Sequence, residues 1–174
     1  VGAKKNVTIP FPLWNNAWGG IASGSFHVIG ADPGGSKSAV IEKLELATAH
    51  PDNKVRVGVM SLEMKKEFKL SRYAQHLYGP SVGPKELMAG TADLDLLKQA
   101  ITELQEYSIF IDDTKYQRYG LVDAMRAMYE THGIDYFTVD FLQILSAYRG
   151  ESKYDNATSN VTALFDFARE TGCA

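Results

Sequence analysis

The chain has 174 residues, of which 45% are hydrophobic and 22% charged, with a formal net charge of −3; this suits one globular α/β domain with a substantial core and excludes a disordered chain. The charge gives no overall attraction to a polyanion, so any nucleic-acid contact has to come from local loops. No apolar run approaches the ~20 residues that span a bilayer, residues Val1 to Lys5 lead into no signal-peptide core, and the lone Cys173 cannot form an intrachain disulfide, as fits a reducing cytosol.

Between Lys4 and Ser25, the breakers Pro10, Pro12, Gly19, Gly20 and Gly24 interrupt Phe11, Leu13, Trp14 and Trp18. This predicts an arm, residues 1–25, that packs by its aromatics on a domain formed by residues 26–174. Phe26 to Ile29 reads as a buried strand, followed by a glycine-rich turn and a helix that runs on from Val40 to Ala49. In that helix Ile41, Leu44 and Thr48 take one side and Glu42, Lys43 and Glu45 face outward. Val55 to Ser61 is a second strand, leading through Leu62, Glu63 and Met64 into a charged helix from about Lys65 to Tyr78. After a Gly/Pro-rich loop and a short helix from Glu86 to Ala89, residues Asp93 to Tyr107 carry Leu94, Leu97, Ile101 and Leu104 as one apolar stripe. Ile109 to Ile111 is a third strand closed by Asp112, Asp113 and Thr114, and Leu121 to His132 a helix stopped by Gly133. Tyr136 to Leu142 is the fourth strand; a polar, glycine-containing loop then precedes a last helix marked by Val161, Leu164, Phe165 and Ala168.

Strands that alternate with helices and are apolar on both faces predict a mainly parallel sheet with helices on both sides. Ligands bind beyond the carboxyl ends of such strands, and Glu63, Asp112, Asp113 and Asp140 all fall at or near those ends.

The layout of strand, glycine-rich turn and helix over Phe26 to Ser38 is that of a nucleotide phosphate cradle, in which backbone N–H groups and the helix dipole meet the phosphates, with an ordinary Pro-Gly-Gly turn after a strand as the alternative. Lys37 would reach the β- and γ-phosphates and the Ser38 hydroxyl a Mg²⁺ ion. Ala31 and Ser36 stand where the usual pattern has glycines; a side chain at Ser36 crowds the β-phosphate and is strained if φ is positive there. Asp140, a lone acid in an apolar run, suits a metal held through water, or caps the next turn. Glu63 could deprotonate an attacking water, or serve as a dipole partner at a helix start. Asp112 and Asp113 read as a turn in preference to a second acidic contact, Lys65, Lys66, Lys69 and Arg72 as a solvated basic helix side or a contact to nucleotide or a neighbouring subunit, and Arg149 and Lys153 as residues that could touch a phosphate backbone.

Gly19 to Ile21, Ala31 to Ser38, Ser61 to Met64, Ile111 to Thr114 and Val139 to Gln143, in this order and at these intervals, resemble the motor domain of replicative DNA helicases of the DnaB family, phage-encoded members first. The likeness runs from about Thr8 to Ala174. It implies a RecA-like P-loop NTPase core and a homo-hexameric cytoplasmic ring, not attached to a membrane, that hydrolyses ATP with Mg²⁺ to move on single-stranded DNA, with primase or a helicase loader as partners. It assigns the loop Asp32, Pro33, Gly34, Gly35, Ser36, Lys37, Ser38 and Ala39 to nucleotide, Lys37 and Glu63 to catalysis, and Ser38 and, through water, Asp140 to the metal. The family's pattern continues past Ala174 into another core strand, a DNA-binding loop and an arginine finger, and has a primase-interacting domain upstream, so the domain is expected to be incomplete at its C-terminal end. Within the same fold the alternative is another RecA-type ATPase, a recombinase or clock-type ring protein, against which Asp140 to Gln143 argue. A degenerate, non-catalytic nucleotide-binding or interaction module is the alternative from a different class, supported by Ser36.

Overall fold

Three apolar runs supply the sheet. Strands β1 (Val57–Ser61), β2 (Ile109–Asp112) and β3 (Tyr136–Asp140) lie parallel in the order β2-β1-β3, with Val57 paired to both Ile109 and Tyr136 and Ser61 to Asp140. The computed structural model describes residues 6–32, 35–116, 118–140 and 153–174. Around the sheet run helices α1 (Pro12–Trp18), α2 (Lys37–Ala49), α3 (Lys66–Tyr78), α4 (Pro84–Ala89), α5 (Leu94–Leu104), α6 (Arg118–His132) and α7 (Lys153–Thr171).

Because successive strand residues point to opposite faces, the sheet builds two cores. Val57, Val59 and Tyr136 join Leu44 and Ala49 of α2 in one. Met60 joins Leu121 and Met125 of α6 and Leu164 and Phe167 of α7 in the other, with Phe137 and Val139 packed against it. Helices thus cover both faces, as a parallel sheet requires. Gly58 is where the second core comes closest to the strand: a Cβ there would lie 2.5 Å from the Phe137 ring. The same alternation puts Thr138 and Asp140 on the face of Tyr136, toward α2, and this positions the site. Arg118 begins α6 three residues earlier than its apolar pattern indicates, donating to Asn160 and Asn156 of α7 at 2.6 and 2.9 Å. Gly133, at φ +65°, ends α6 as expected.

Several expectations are corrected. Phe26 to Ile29 forms no strand, and Val28 is 67% exposed. At the start of the outer edge of β3 the backbone partners are supplied instead by Ala174: Phe137 N–H donates to the Ala174 carbonyl at 2.7 Å, and Ala174 N–H to the Asp135 carbonyl at 3.1 Å. The arm docks by aliphatic side chains. Val7 and Ile21 pair antiparallel and are buried with Ile9 in the first core, whereas Leu13, Trp14 and Trp18 are exposed and Phe11 alone of the named aromatics packs on that core. On α5, Leu94 and Ile101 are exposed, because the helix covers a small satellite core of Ala74, Val82 and Ala100 through Leu96 and Leu97. Glu42 and Glu45 of α2 and Lys69 of α3 are buried, not outward, since α2 is covered by the sheet on one side and by α3 on another. Pro33, Gly34, residues 141–152 with Arg149, and the side chain of Lys153 lie outside the described residues.

Candidate nucleotide site

Ahead of the head of α2, Gly35 is bonded back to Asp32. Gly35 N–H donates to the Asp32 carbonyl at 2.8 Å, and a Cβ on Gly35 would come within 2.9 Å of that oxygen, so only glycine fits. Ser36 follows at φ +59°, ψ +19°, in the left-handed region, and its side chain makes no cap bond to the helix. Lys37 and Ser38 then open α2.

Across from them is the end of β3. Lys37 Nζ lies 3.2 Å from Asp140 Oδ1, and Ser38 Oγ donates to Asp140 Oδ2 at 3.3 Å. Asp140 is 4% exposed. A carboxylate this deep costs several kcal/mol unless compensated, and the Lys37 ammonium compensates it. Leu62 N–H donates to the Asp140 carbonyl at 2.9 Å, which carries the turn holding Glu63 to the end of β3. Ser61 Oγ closes that turn by donating to the Met64 carbonyl at 2.6 Å, leaving Glu63 exposed to solvent. Lys37, Ser38 and Asp140 are therefore in direct contact, and Glu63 stands on the neighbouring strand end. Beside them a groove of about 730 Å³ runs past Val28, Gly30, Ala31, Lys37 and Asp140.

Asp112 and Asp113 serve local structure. Asp112 accepts from Tyr116 Oη at 2.7 Å and Thr114 N–H at 2.8 Å. Burial pushes its carboxyl up, but these hydrogen bonds outweigh burial and hold it below the ordinary range. Asp113 accepts the Lys66 N–H at 3.1 Å at the start of α3, with Lys65 Nζ at 3.6 Å; that backbone bond, ahead of the Lys65 charge, holds its carboxyl low. The Glu63 turn is thus held from β3, and the residues that follow it, Lys65 and Lys66, from the end of β2.

The oxygen set at Asp140 fits a hard divalent cation, since a hydroxyl and a carboxylate meet there, on a carboxylate whose Oδ1 is already 3.2 Å from the Lys37 ammonium. Sequence reasoning missed a second group of charges behind the site, in which Glu42 and Glu45 of α2 meet Lys69, Arg72 and His76 of α3. Its signal was present as two acids three apart on one helix and three basic residues at spacings of three and four on the next.

A family model, the DnaB-like helicase C terminal domain, matches residues 7–174. Two probable plasmid replicative DNA helicases are similar in sequence. The one from Chlamydia muridarum (strain MoPn / Nigg) is 23% identical over 154 residues, covering 86% of this chain and 34% of the relative. That from Chlamydia psittaci is 27% identical over 146 residues, 82% of this chain and 31% of the relative. The chain thus spans about a third of the length of these curated relatives. Among solved structures, a DnaB-like replicative helicase described with its interactions with primase superposes at a TM-score of 0.85 and 22% identity, over all of this chain and 44% of the other. A second solved structure, an ATPase domain, superposes at a TM-score of 0.81 and 24% identity, over 98% of this chain and 63% of the other. These structures establish a RecA-like fold, and with the match over residues 7–174 the chain belongs to the DnaB-like helicase C-terminal domain family.

Proposed function

We propose that this chain is the ATP-binding motor core of a replicative DNA helicase, coupling ATP hydrolysis to movement on single-stranded DNA and duplex unwinding. The observation that carries the reading is the convergence of Lys37 and Ser38 on Asp140 within 3.3 Å at the carboxyl end of the sheet, with Glu63 on the adjoining strand end. Asp32 to Ala39 would wrap the phosphates, Lys37 would bind the β- and γ-phosphate oxygens, and Ser38 and, through water, Asp140 would hold Mg²⁺. When bound, that ion neutralises charge on the phosphates. Glu63 orients the attacking water and accepts its proton.

In the intact protein the same reading implies a homo-hexamer, contact with primase or a loader, and a cytoplasmic setting; among the described residues no helix is long and apolar enough to cross a membrane. Arg149 and Lys153 would meet the DNA backbone, and neutralising either should flatten the salt dependence of DNA binding. The test is ATP turnover with and without single-stranded DNA. Glu63→Gln should keep nucleotide binding and lose about 10²-fold or more in kcat, while Lys37→Ala loses binding. Wild-type turnover in Glu63→Gln, or an intact protein that binds no nucleotide, refutes the reading. The left-handed Ser36 favours a second reading, a module that holds nucleotide without turning it over; Ser36→Gly separates the two by restoring turnover only if the loop is merely impaired.

A further inference from the structure

The charges behind the site are enclosed. Glu45 is fully buried and Lys69 is 1% exposed. Glu45 Oε2 lies 3.0 Å from Lys69 Nζ and accepts from Tyr73 Oη at 2.7 Å, and Oε1 accepts from Thr138 Oγ1 at 2.5 Å. Alongside, Glu42 takes Arg72 Nε at 2.6 Å and His76 Nε2 at 3.1 Å. We propose that Glu45 and Lys69 are positioning residues that hold α2, α3 and β3 in one register and so set Glu63 and Asp140 against Lys37 and Ser38.

The arms of the Glu45 group end on β3, which carries Asp140, and on α3, which follows the Glu63 turn. Glu45 lies seven residues, about two turns, along α2 from Ser38. Thr138 lies two residues before Asp140 on the same face of β3, a rise of about 7 Å. Lys69 and Tyr73 lie on α3, whose first turn directly follows the Glu63 turn and is tied to the end of β2 through Asp113. The three contacts at Glu45 therefore triangulate the three elements from one carboxylate. Apolar packing is non-directional and tolerates small slides between helices, whereas polar contacts of 2.5–3.0 Å do not. A buried ion pair adds little net stability over a well-packed apolar substitute, so stability alone does not explain two charges in this place. The proposal rests on the reading of Glu63 as the catalytic base.

The test replaces the group by apolar side chains of similar length in the intact protein: Glu45→Met, Lys69→Met, Tyr73→Phe and Thr138→Val together. This variant should melt at or above the wild-type temperature. Its kcat should fall about tenfold with KM for ATP changed by less than about twofold, the signature of lost positioning and not of lost binding. Amide exchange over Ser61 to Lys65 should quicken by about tenfold. A second variant, Glu45→Gln with Lys69→Met, keeps hydrogen bonds to Tyr73 and Thr138 without the charges; it should recover part of the kcat and of the slow exchange, the shortfall being the share of Lys69, and it decides the matter if the fourfold variant does not fold. Wild-type kcat or unaltered exchange in the folded fourfold variant overturns the proposal, as does failure of the glutamine variant to recover either property. A wild-type protein without turnover would leave no kcat to compare, and the exchange measurements alone then decide whether the network sets the register.

Discussion

Ser36→Gly should stabilise the fold. Ser36 sits at φ +59°, ψ +19°, where an L-residue pays about 1–2 kcal/mol relative to its preferred regions because Cβ crowds the following carbonyl. Glycine pays no such penalty, but the freedom it adds to the unfolded chain returns about 0.4–1 kcal/mol. The serine hydroxyl makes no cap bond to α2, so no cap bond is lost. The net gain is about 0.5–1 kcal/mol, which for a domain of this size raises Tm by about 1–4 °C. Ser36→Ala is the control: it keeps the Cβ and the strain and should shift stability by less than about 0.5 kcal/mol. Calorimetric melting without nucleotide measures both variants. If Ser36→Ala stabilises as much as Ser36→Gly, or if Ser36→Gly melts lower than wild type, backbone strain at this position is not the cause. A nucleotide titration then asks whether the same Cβ obstructs a phosphate, in which case tenfold tighter binding or faster turnover in Ser36→Gly corresponds to about 1.4 kcal/mol.

Gly58→Ala would place a Cβ 2.5 Å from Phe137 Cε1 and 3.1 Å from Met128 Sδ, and the resulting overpacking should cost about 1–3 kcal/mol; an unchanged urea midpoint would mean the ring does not rest on the strand. Lys69→Met alone strands the Glu45 carboxylate in the interior, which should cost about 3–5 kcal/mol, and the loss should be largely reversed by adding Glu45→Met; two losses that simply add would refute the pairing. Asp112 has a folded pKa held below its ordinary 3.8 by Tyr116 and Thr114 against the upward push of burial. Its contribution is therefore complete above that ordinary value and disappears as pH falls through the lowered one. The Tm difference between wild type and Asp112→Asn should accordingly shrink between about pH 5 and pH 2, and a pH-independent difference would contradict the assignment.

Which parts of this chain were legible follows from where each residue's partners lie. Val57 to Met60 and Ile109 to Ile111 declare themselves as strands because buried strands of a parallel sheet need apolar side chains on both faces. Gly133 announces the end of α6 because the left-handed cap is a local demand. The meeting of Asp140 with Ser38 was also within reach, since once Tyr136 faces α2 the two-residue period carries Thr138 and Asp140 to the same side. Phe26 to Ile29 has the composition of a strand, but pairing depends on a neighbour's vacant edge, and Ala174 takes the first partners along β3. Glu42, Glu45 and Lys69 were read as solvated because isolated acids and lysines almost always are. Their burial depends on α3 folding back over α2, a long-range event that neither helix pattern contains.

Two ion pairs flank α2, and burial gives them different capacities. Lys37 is about a quarter exposed at the open head of the helix, where its ammonium faces a groove and its partner Asp140. Water and incoming anions can compete there, so this pair can exchange partners at modest cost: Lys37 can turn to a phosphate if another cation takes over the charge of Asp140. Lys69 and Glu45, two turns deeper, have almost no solvent contact, and separating them would leave two bare charges in a dry interior. That cost, several kcal/mol per ion, forbids exchange and makes the deeper pair a fixed reference for the exchangeable one. The same attraction between ammonium and carboxylate therefore suits ligand binding at one end of the helix and register at the other, and access to water decides which.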